Sequence, residues 1–142
     1  MTLVNARTEQ PVALTIELAN TRATRRRGLL GRDGLASGAA LVLTPCNAVH
    51  TIGMRFAIDV VFVDSRGLVR KIVHNLPPWR MAISPLSRAT IELAAGELAS
   101  EDLRVGDRLY LSPVPGEVEG AVRASGIRAL IADERVPTPK HA

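Results

Sequence analysis

The chain has 142 residues, of which 46% are apolar and 23% charged, and 18 Lys and Arg against 14 Asp and Glu leave a formal charge of +4. That length predicts one domain burying roughly two-thirds of its unfolded surface, and the balance excludes global disorder. Only Phe56, Phe62, Trp79 and Tyr110 are aromatic, too few for a base-stacking platform, so dedicated nucleic-acid binding is disfavoured and the charge excess reads as solubility.

Val12 to Ala19 (VALTIELA) alternates and predicts a half-buried strand with Val12, Leu14, Ile16 and Leu18 inward. Asn20 or Thr21 is placed to cap a short helix through Arg27, because a side-chain oxygen there accepts from the open amides of the first turn. Gly28 to Gly34 closes it. Arg22, Arg25, Arg26, Arg27 and Arg32 belong to this element; they form either an anion-binding patch or a solvated face whose apolar side, Ala23, Leu29 and Leu30, packs inward.

Ala39 to Leu43 predicts a buried strand ended by Pro45. Val49 to Met54 and Ile58 to Asp64 follow as strands, and Asp64 to Gly67 is a type I turn signal. With Leu68 to His74 this makes Ile58 to His74 the clearest hairpin. Pro77 and Pro78 enforce a loop, Ala89 to Ala94 a strand with Ile91 and Leu93 inward, Ser100 to Leu103 a helical turn, and Arg108 to Leu111 a closing strand. Residues 1–112 read as the domain. Residues 113–142, with Val118, Val122, Leu130 and Ile131 at helical spacing, read as a partly helical extension, packed or mobile.

A lone cysteine excludes an internal disulfide and suits a reducing compartment. The first residues lack a secretion signal, and no apolar run approaches the ~20 residues that span a bilayer. The expectation is a cytoplasmic, soluble chain without a membrane span, although one trimmed of its leader would read the same.

Chemistry concentrates between Thr44 and Asp64, which hold Cys46, His50, Arg55 and Asp59. On an extended strand Cys46 and His50 share a side but lie about 13 Å apart, so a thiolate–imidazole pair needs a bend near Asn47. With Asp59 orienting the imidazole the trio has the roles of a Cys-His-acid set; otherwise Cys46 is a small core residue. No complete metal set is visible, and no cofactor motif. Asp59 heads a run, Val60 to Val63, that is apolar on both faces, so its charge needs a partner, with Arg55 or Arg80 as candidates. It serves either as an internal structural carboxylate or within a polar cleft formed with His50, Arg55, Trp79 and Arg80.

Arg27-Gly28-Leu29-Leu30-Gly31-Arg32, His50-Thr51, Met54-Arg55, Ile58 to Asp64, Ile91-Glu92-Leu93 with Gly96, and Val105-Gly106-Asp107-Arg108-Leu109 together resemble the DUF192 (UPF0127) family of uncharacterised proteins, from about Val12 to Leu111. The resemblance implies a small, mainly β (α+β) domain, a compact barrel-like or rolled antiparallel sheet with short peripheral helices. It implies no reaction. Many members carry a secretion signal or membrane anchor ahead of the domain. Where a common form of the family's central motif has Trp-Met-Lys-Asn-Thr, this chain has Cys46, His50-Thr51 and Met54-Arg55, and Pro78-Trp79-Arg80 accompanies them. The resulting expectation is a binding or accessory domain for a small molecule, peptide or protein through His50, Arg55, Asp59, Trp79 and Arg80. The alternatives are a hydrolase- or transferase-like enzyme using Cys46 and His50, and weak anion or nucleic-acid binding through Arg22 to Arg32.

Overall fold

The structure is a computed structural model that describes residues 1–113; the expected extension beyond them lies outside the described residues. Among the described residues ten strands, β1 (Thr2–Asn5), β2 (Gln10–Ala13), β3 (Thr15–Ala19), β4 (Ala39–Leu43), β5 (Ala48–His50), β6 (Ile58–Val63), β7 (Val69–Leu76), β8 (Met81–Ile83), β9 (Ala89–Ala94) and β10 (Leu109–Ser112), accompany one helix, α1 (Arg22–Arg27), and a 3-10 turn at Glu97–Ser100. The protein is mainly β.

The strands form three sheets, ordered β10-β1-β2, β3-β4-β9-β6-β7 and β5-β8. They do not close into a barrel, which corrects the barrel-like expectation. One pairing, β3 with β4, is parallel. A parallel neighbour cannot be reached by a tight turn, so the chain must cross over between the two strands. Residues 20–38, carrying α1 and the glycine-rich segment, are that crossover.

The central strands of the five-stranded sheet, β4, β9 and β6, are covered on both faces, whereas the edge strands β3 and β7 are largely exposed. Leu3, Leu109 and Leu111 of the three-stranded sheet cover one face, meeting Val42, Val61, Val63, Ile91 and Leu93. Leu29 of the crossover, Val49, Met54 and Ala82 cover the other, meeting Leu41, Leu43, Ile58, Val60 and Phe62. Every residue of β6 is therefore buried, as a doubly covered strand requires.

The expected strand Val12 to Ala19 divides at Leu14, whose amide, like that of Thr15, donates to the Gly38 carbonyl. Its two halves join different sheets, so one alternation does not run through both. Leu14 and Leu18 are consequently 58% and 40% exposed rather than inward. Val49 to Met54 is a strand only as Ala48–His50, because the chain turns at Ile52 and Gly53, with φ +81° at Gly53. The 3-10 turn starts at Glu97 rather than Ser100. β1 and β8 were not foreseen. Among the expected elements, the hairpin of β6 and β7 is antiparallel as read, and the Asp64 carboxylate closes its turn by accepting from the amides of Arg66 and Leu68.

Candidate functional site

Thr21 starts α1 as a reciprocal cap: its Oγ1 accepts from the Thr24 amide at 3.1 Å, and the Thr24 Oγ1 accepts from the Thr21 amide at 3.0 Å. Gly28, with φ +47°, ends the helix in a backbone conformation that L side chains rarely adopt. The turn it makes carries Leu29 into the core. No residue of α1 itself is buried, and Ala23 is exposed, so the inward anchor is Leu29 with part-buried Leu30 rather than a helix face. The guanidinium of Arg25 leans back onto the sheet, donating to the carbonyls of Asn20 (3.1 Å) and Thr44 (3.3 Å).

Opposite α1 stands the small β5–β8 sheet. Thr51 anchors it from a fully buried position: its hydroxyl donates to the Pro77 carbonyl at 2.6 Å and accepts from the Arg80 amide at 2.9 Å, and its own amide donates to the Arg80 carbonyl. Between α1 and this sheet lies a cavity of about 260 Å3, open to solvent. Arg25, Arg26 and Arg27 line one side; Cys46, Ala48, Val49 and His50 line another; Leu29, Leu30, Leu43 and Met54 supply apolar wall.

Glu92 of β9 lines the same cavity. Ile91 and Leu93 point to the three-stranded sheet, so Glu92 projects to the opposite face, in register with Leu41 of β4 and Val60 of β6. It is 4% exposed, and its Oε2 is buried without a hydrogen-bond partner. Burial of the carboxyl away from water pushes its pKa up to about 7, against a weaker opposing pull from Arg32. Arg32 does not reach Glu92 with a hydrogen bond because it forks onto Glu17, at 2.9 and 2.6 Å. The Thr44 hydroxyl is the other buried polar atom without a partner among the described residues.

A second cavity, about 440 Å3, lies beyond Arg27 and Gly28 against Glu17, Leu18 and Leu41. It is larger, but its carboxylate is already satisfied by Arg32, and neither unpartnered polar atom lines it. The smaller cavity therefore holds the unspent chemistry.

Of the residues singled out from sequence, the structure brings Cys46 and His50 to one cavity. The Cys46 thiol donates to the Ala48 carbonyl at 3.1 Å. Asp59 projects to the other face of the sheet. Its Oδ1 accepts from the Asn75 amide at 2.8 Å, and its Oδ2 from those of Gly96 (3.1 Å) and Leu98 (3.0 Å). Main-chain amides, not Arg55 or Arg80, are thus the partners of this buried charge. Arg55 pairs with Asp33 at 2.6 Å, both exposed. Trp79 is 65% exposed, with φ +66°, and Arg80 donates to its carbonyl. Among the described residues no three His, Cys, Asp or Glu converge as a metal site, and no helix is long and apolar enough to cross a membrane.

Sequence reasoning missed Glu92 as a site residue. The signal was present, a glutamate alternating with Ile91 and Leu93 in ATIELA. An acid facing away from the core side of a strand is ordinarily in water; that β9 is central and covered on both faces is a property of the topology.

These features define a small, mainly β domain with one buried acid opening onto an arginine-lined cavity. The chain belongs to the DUF192 family (Uncharacterized ACR, COG1430), whose model matches residues 3–111. It is similar to a solved protein from Sinorhizobium meliloti 1021, described as a candidate transcription regulator, with TM-score 0.67 and 25% identity over 76% of this chain and 88% of that one. A protein of unknown function from Novosphingobium aromaticivorans DSM 12444 shares the fold with TM-score 0.69, at 20% identity over 78% of this chain and 84% of that one. No curated protein matches.

Proposed function

We propose that this chain is a small-molecule-binding or accessory domain whose site is the Glu92 cavity, with Cys46 and His50 at its wall. The observation that supports this is the unpartnered Glu92 carboxyl. Burying such a group costs on the order of several kcal/mol, and an apolar residue between Leu41 and Val60 would avoid that cost. A stability cost concentrated at the lining of an open cavity is the mark of a site built for an occupant. Arg55, Trp79 and Arg80 belong to the outer surface in this reading, and Asp59 holds the scaffold.

The test is a thermal-shift screen of small polar molecules against the full chain and Glu92→Leu. Ligands of this site raise the melting temperature of the wild type and leave the variant unmoved. If every stabilising compound acts equally on both, the cavity is not the site.

A second reading, an enzyme with Cys46 as nucleophile, is favoured by Cys46 and His50 lining the same cavity. It requires an activated thiol. Iodoacetamide labelling of Cys46 at neutral pH that is no faster than for free cysteine removes this reading. Nucleic-acid association through Arg22 to Arg32 has weaker support, because Arg25 and Arg32 are already engaged within the chain. The name of the Sinorhizobium protein nonetheless makes heparin retention at low salt a worthwhile control.

A further inference from the structure

We infer that the Glu92 cavity takes a small organic anion carrying a short apolar tail, its oxygens met by Arg26 and Arg27 and by a proton held on the Glu92 carboxyl. The inference rests on the cavity being a binding site and adds the class of occupant. Three consecutive arginines line a space that contains one carboxyl, so the lining is net positive even when Glu92 is ionised. Arg25 is occupied by the Asn20 and Thr44 carbonyls. Among the described residues no hydrogen bond or ion pair engages the guanidinium of Arg26 or Arg27, which leaves two forked donors for a carboxylate or phosphate.

Glu92 decides what the deep end accepts. The residues beside it in the sheet, Leu41 and Val60, are apolar, as are Leu29 and Met54 across the cavity. The charged and titratable groups lining this space besides Glu92 are Arg25, Arg26 and Arg27 from α1 and Cys46 and His50 from the β5 side; Arg32 lies outside the lining, acts on Glu92 through its charge alone and shares that charge with Glu17. No cation is hydrogen-bonded to the carboxyl. A neutral carboxyl is an O–H donor as well as an acceptor, and an anion arriving from the arginine side meets that donor with its oxygen. A bound anion in turn favours the protonated form of Glu92, since a nearby like charge disfavours ionisation. The apolar wall of Leu29, Leu30 and Met54 accepts the tail. At about 260 Å3 the space is below the range of drug-sized ligands, which limits the occupant to metabolite size.

Binding is then linked to pH. Anion affinity is full below about pH 7 and falls about tenfold per unit above it, because Glu92 must carry its proton in the complex. The experiment is an NMR titration of the isotope-labelled full chain with hexanoate, hexyl phosphate, hexylammonium and hexanamide, following amides of Leu29, Val49 and Met54. Hexanoate is expected to bind about tenfold more weakly at pH 8 than at pH 6. Glu92→Gln is expected to abolish that ratio, and Arg26→Gln combined with Arg27→Gln to weaken binding by about tenfold or more. Tighter binding of hexanoate than hexyl phosphate at pH 6 assigns the anion as carboxylate, and the reverse as phosphate. Preference for hexylammonium, or equal binding of hexanamide, overturns the anion class and leaves the cavity as a binding site. A pH ratio that survives in Glu92→Gln assigns the proton elsewhere and also overturns the inference. If none of the four probes moves the cavity amides, both the anion class and the binding-site reading fall.

Discussion

Asp59 and Leu98 lie 39 positions apart and are joined by a hydrogen bond in which the Asp59 Oδ2 accepts from the Leu98 amide at 3.0 Å. The same oxygen takes the Gly96 amide, and Oδ1 the Asn75 amide. One buried carboxylate thereby ties the start of β6 to the end of β7 and to the start of the 3-10 turn at Glu97–Ser100.

Removing that carboxylate strands three main-chain donors. The Leu98 amide is buried, and a buried donor left without a partner costs on the order of 1–3 kcal/mol, whereas Asn75 and Gly96 are exposed and their amides lose less. Asp59→Ala is expected to destabilise by about 2 kcal/mol or more. Glu101 is half-buried, and its side chain makes no hydrogen bond among the described residues; Glu101→Ala should stay within about 1 kcal/mol. Chemical denaturation of both variants decides this. Equal losses would mean that the three amides find other partners.

Asp107 plays a comparable part in the turn ahead of β10, and its role has a pH signature. Its carboxylate accepts from the Arg7 Nε at 2.7 Å, the Asn5 side-chain amide at 2.8 Å and the Arg104 amide at 2.9 Å, and is 6% exposed. The Arg7 contact, foremost, holds its pKa down at about 2. A carboxyl whose folded pKa lies below its unfolded value of about 3.9 stabilises the fold above that value and loses the contribution as pH falls toward 2. Asp107→Asn should therefore unfold at lower urea than the wild type at pH 7, with the gap narrowing as pH falls below about 4 and closing only below about pH 2. A gap that stays constant across this range would show that the charge is not what matters.

How much of this was legible depended on how far each signal reaches along the chain. The hairpin of β6 and β7 and the Thr21 cap are written in residues close to one another, so period and turn chemistry reveal them. The split of Val12 to Ala19 is not, because Leu14 turns outward only where β3 departs to lie parallel to β4, a partner that begins at Ala39. The need of Asp59 for a partner followed from its apolar neighbours, but the partners themselves are amides contributed by Asn75, Gly96 and Leu98. Amides carry no side-chain signature. Cys46 and His50 were legible as chemistry, whereas the carboxyl they share a cavity with is buried by layers on both sides of β9, which only the assembled fold provides.

The loop that carries Trp79 should depend more on Thr51 than on its own aromatic ring. The Thr51 hydroxyl serves both the Pro77 carbonyl and the Arg80 amide from a fully buried position. Thr51→Val keeps the shape and removes both contacts, with an expected loss of about 2 kcal/mol. Trp79 leaves 65% of itself in solvent, so Trp79→Ala should change stability by no more than about 1 kcal/mol. Urea unfolding of the two variants is the check; a larger loss at Trp79 would mean that the ring packs against something in solution.

Glu92 predicts the opposite pH trend from Asp107, independently of any ligand. Its folded pKa is raised from about 4.5 to about 7 by burial, so the fold prefers the neutral acid. Stability is greatest below about pH 4.5, declines as pH rises from there to about 7, and levels off above. The full decline corresponds to roughly 3–4 kcal/mol, from the difference between 4.5 and about 7 at ~1.4 kcal/mol per unit. Glu92→Gln keeps the shape and cannot ionise. Relative to the wild type it should therefore gain stability between pH 5 and pH 8, visible as a melting temperature higher by roughly 10 °C at pH 8 than the wild type would reach, if the two match at pH 5. An unchanged difference at the two pH values would show that the carboxyl reaches water, and the orphaned oxygen would no longer argue for an occupant.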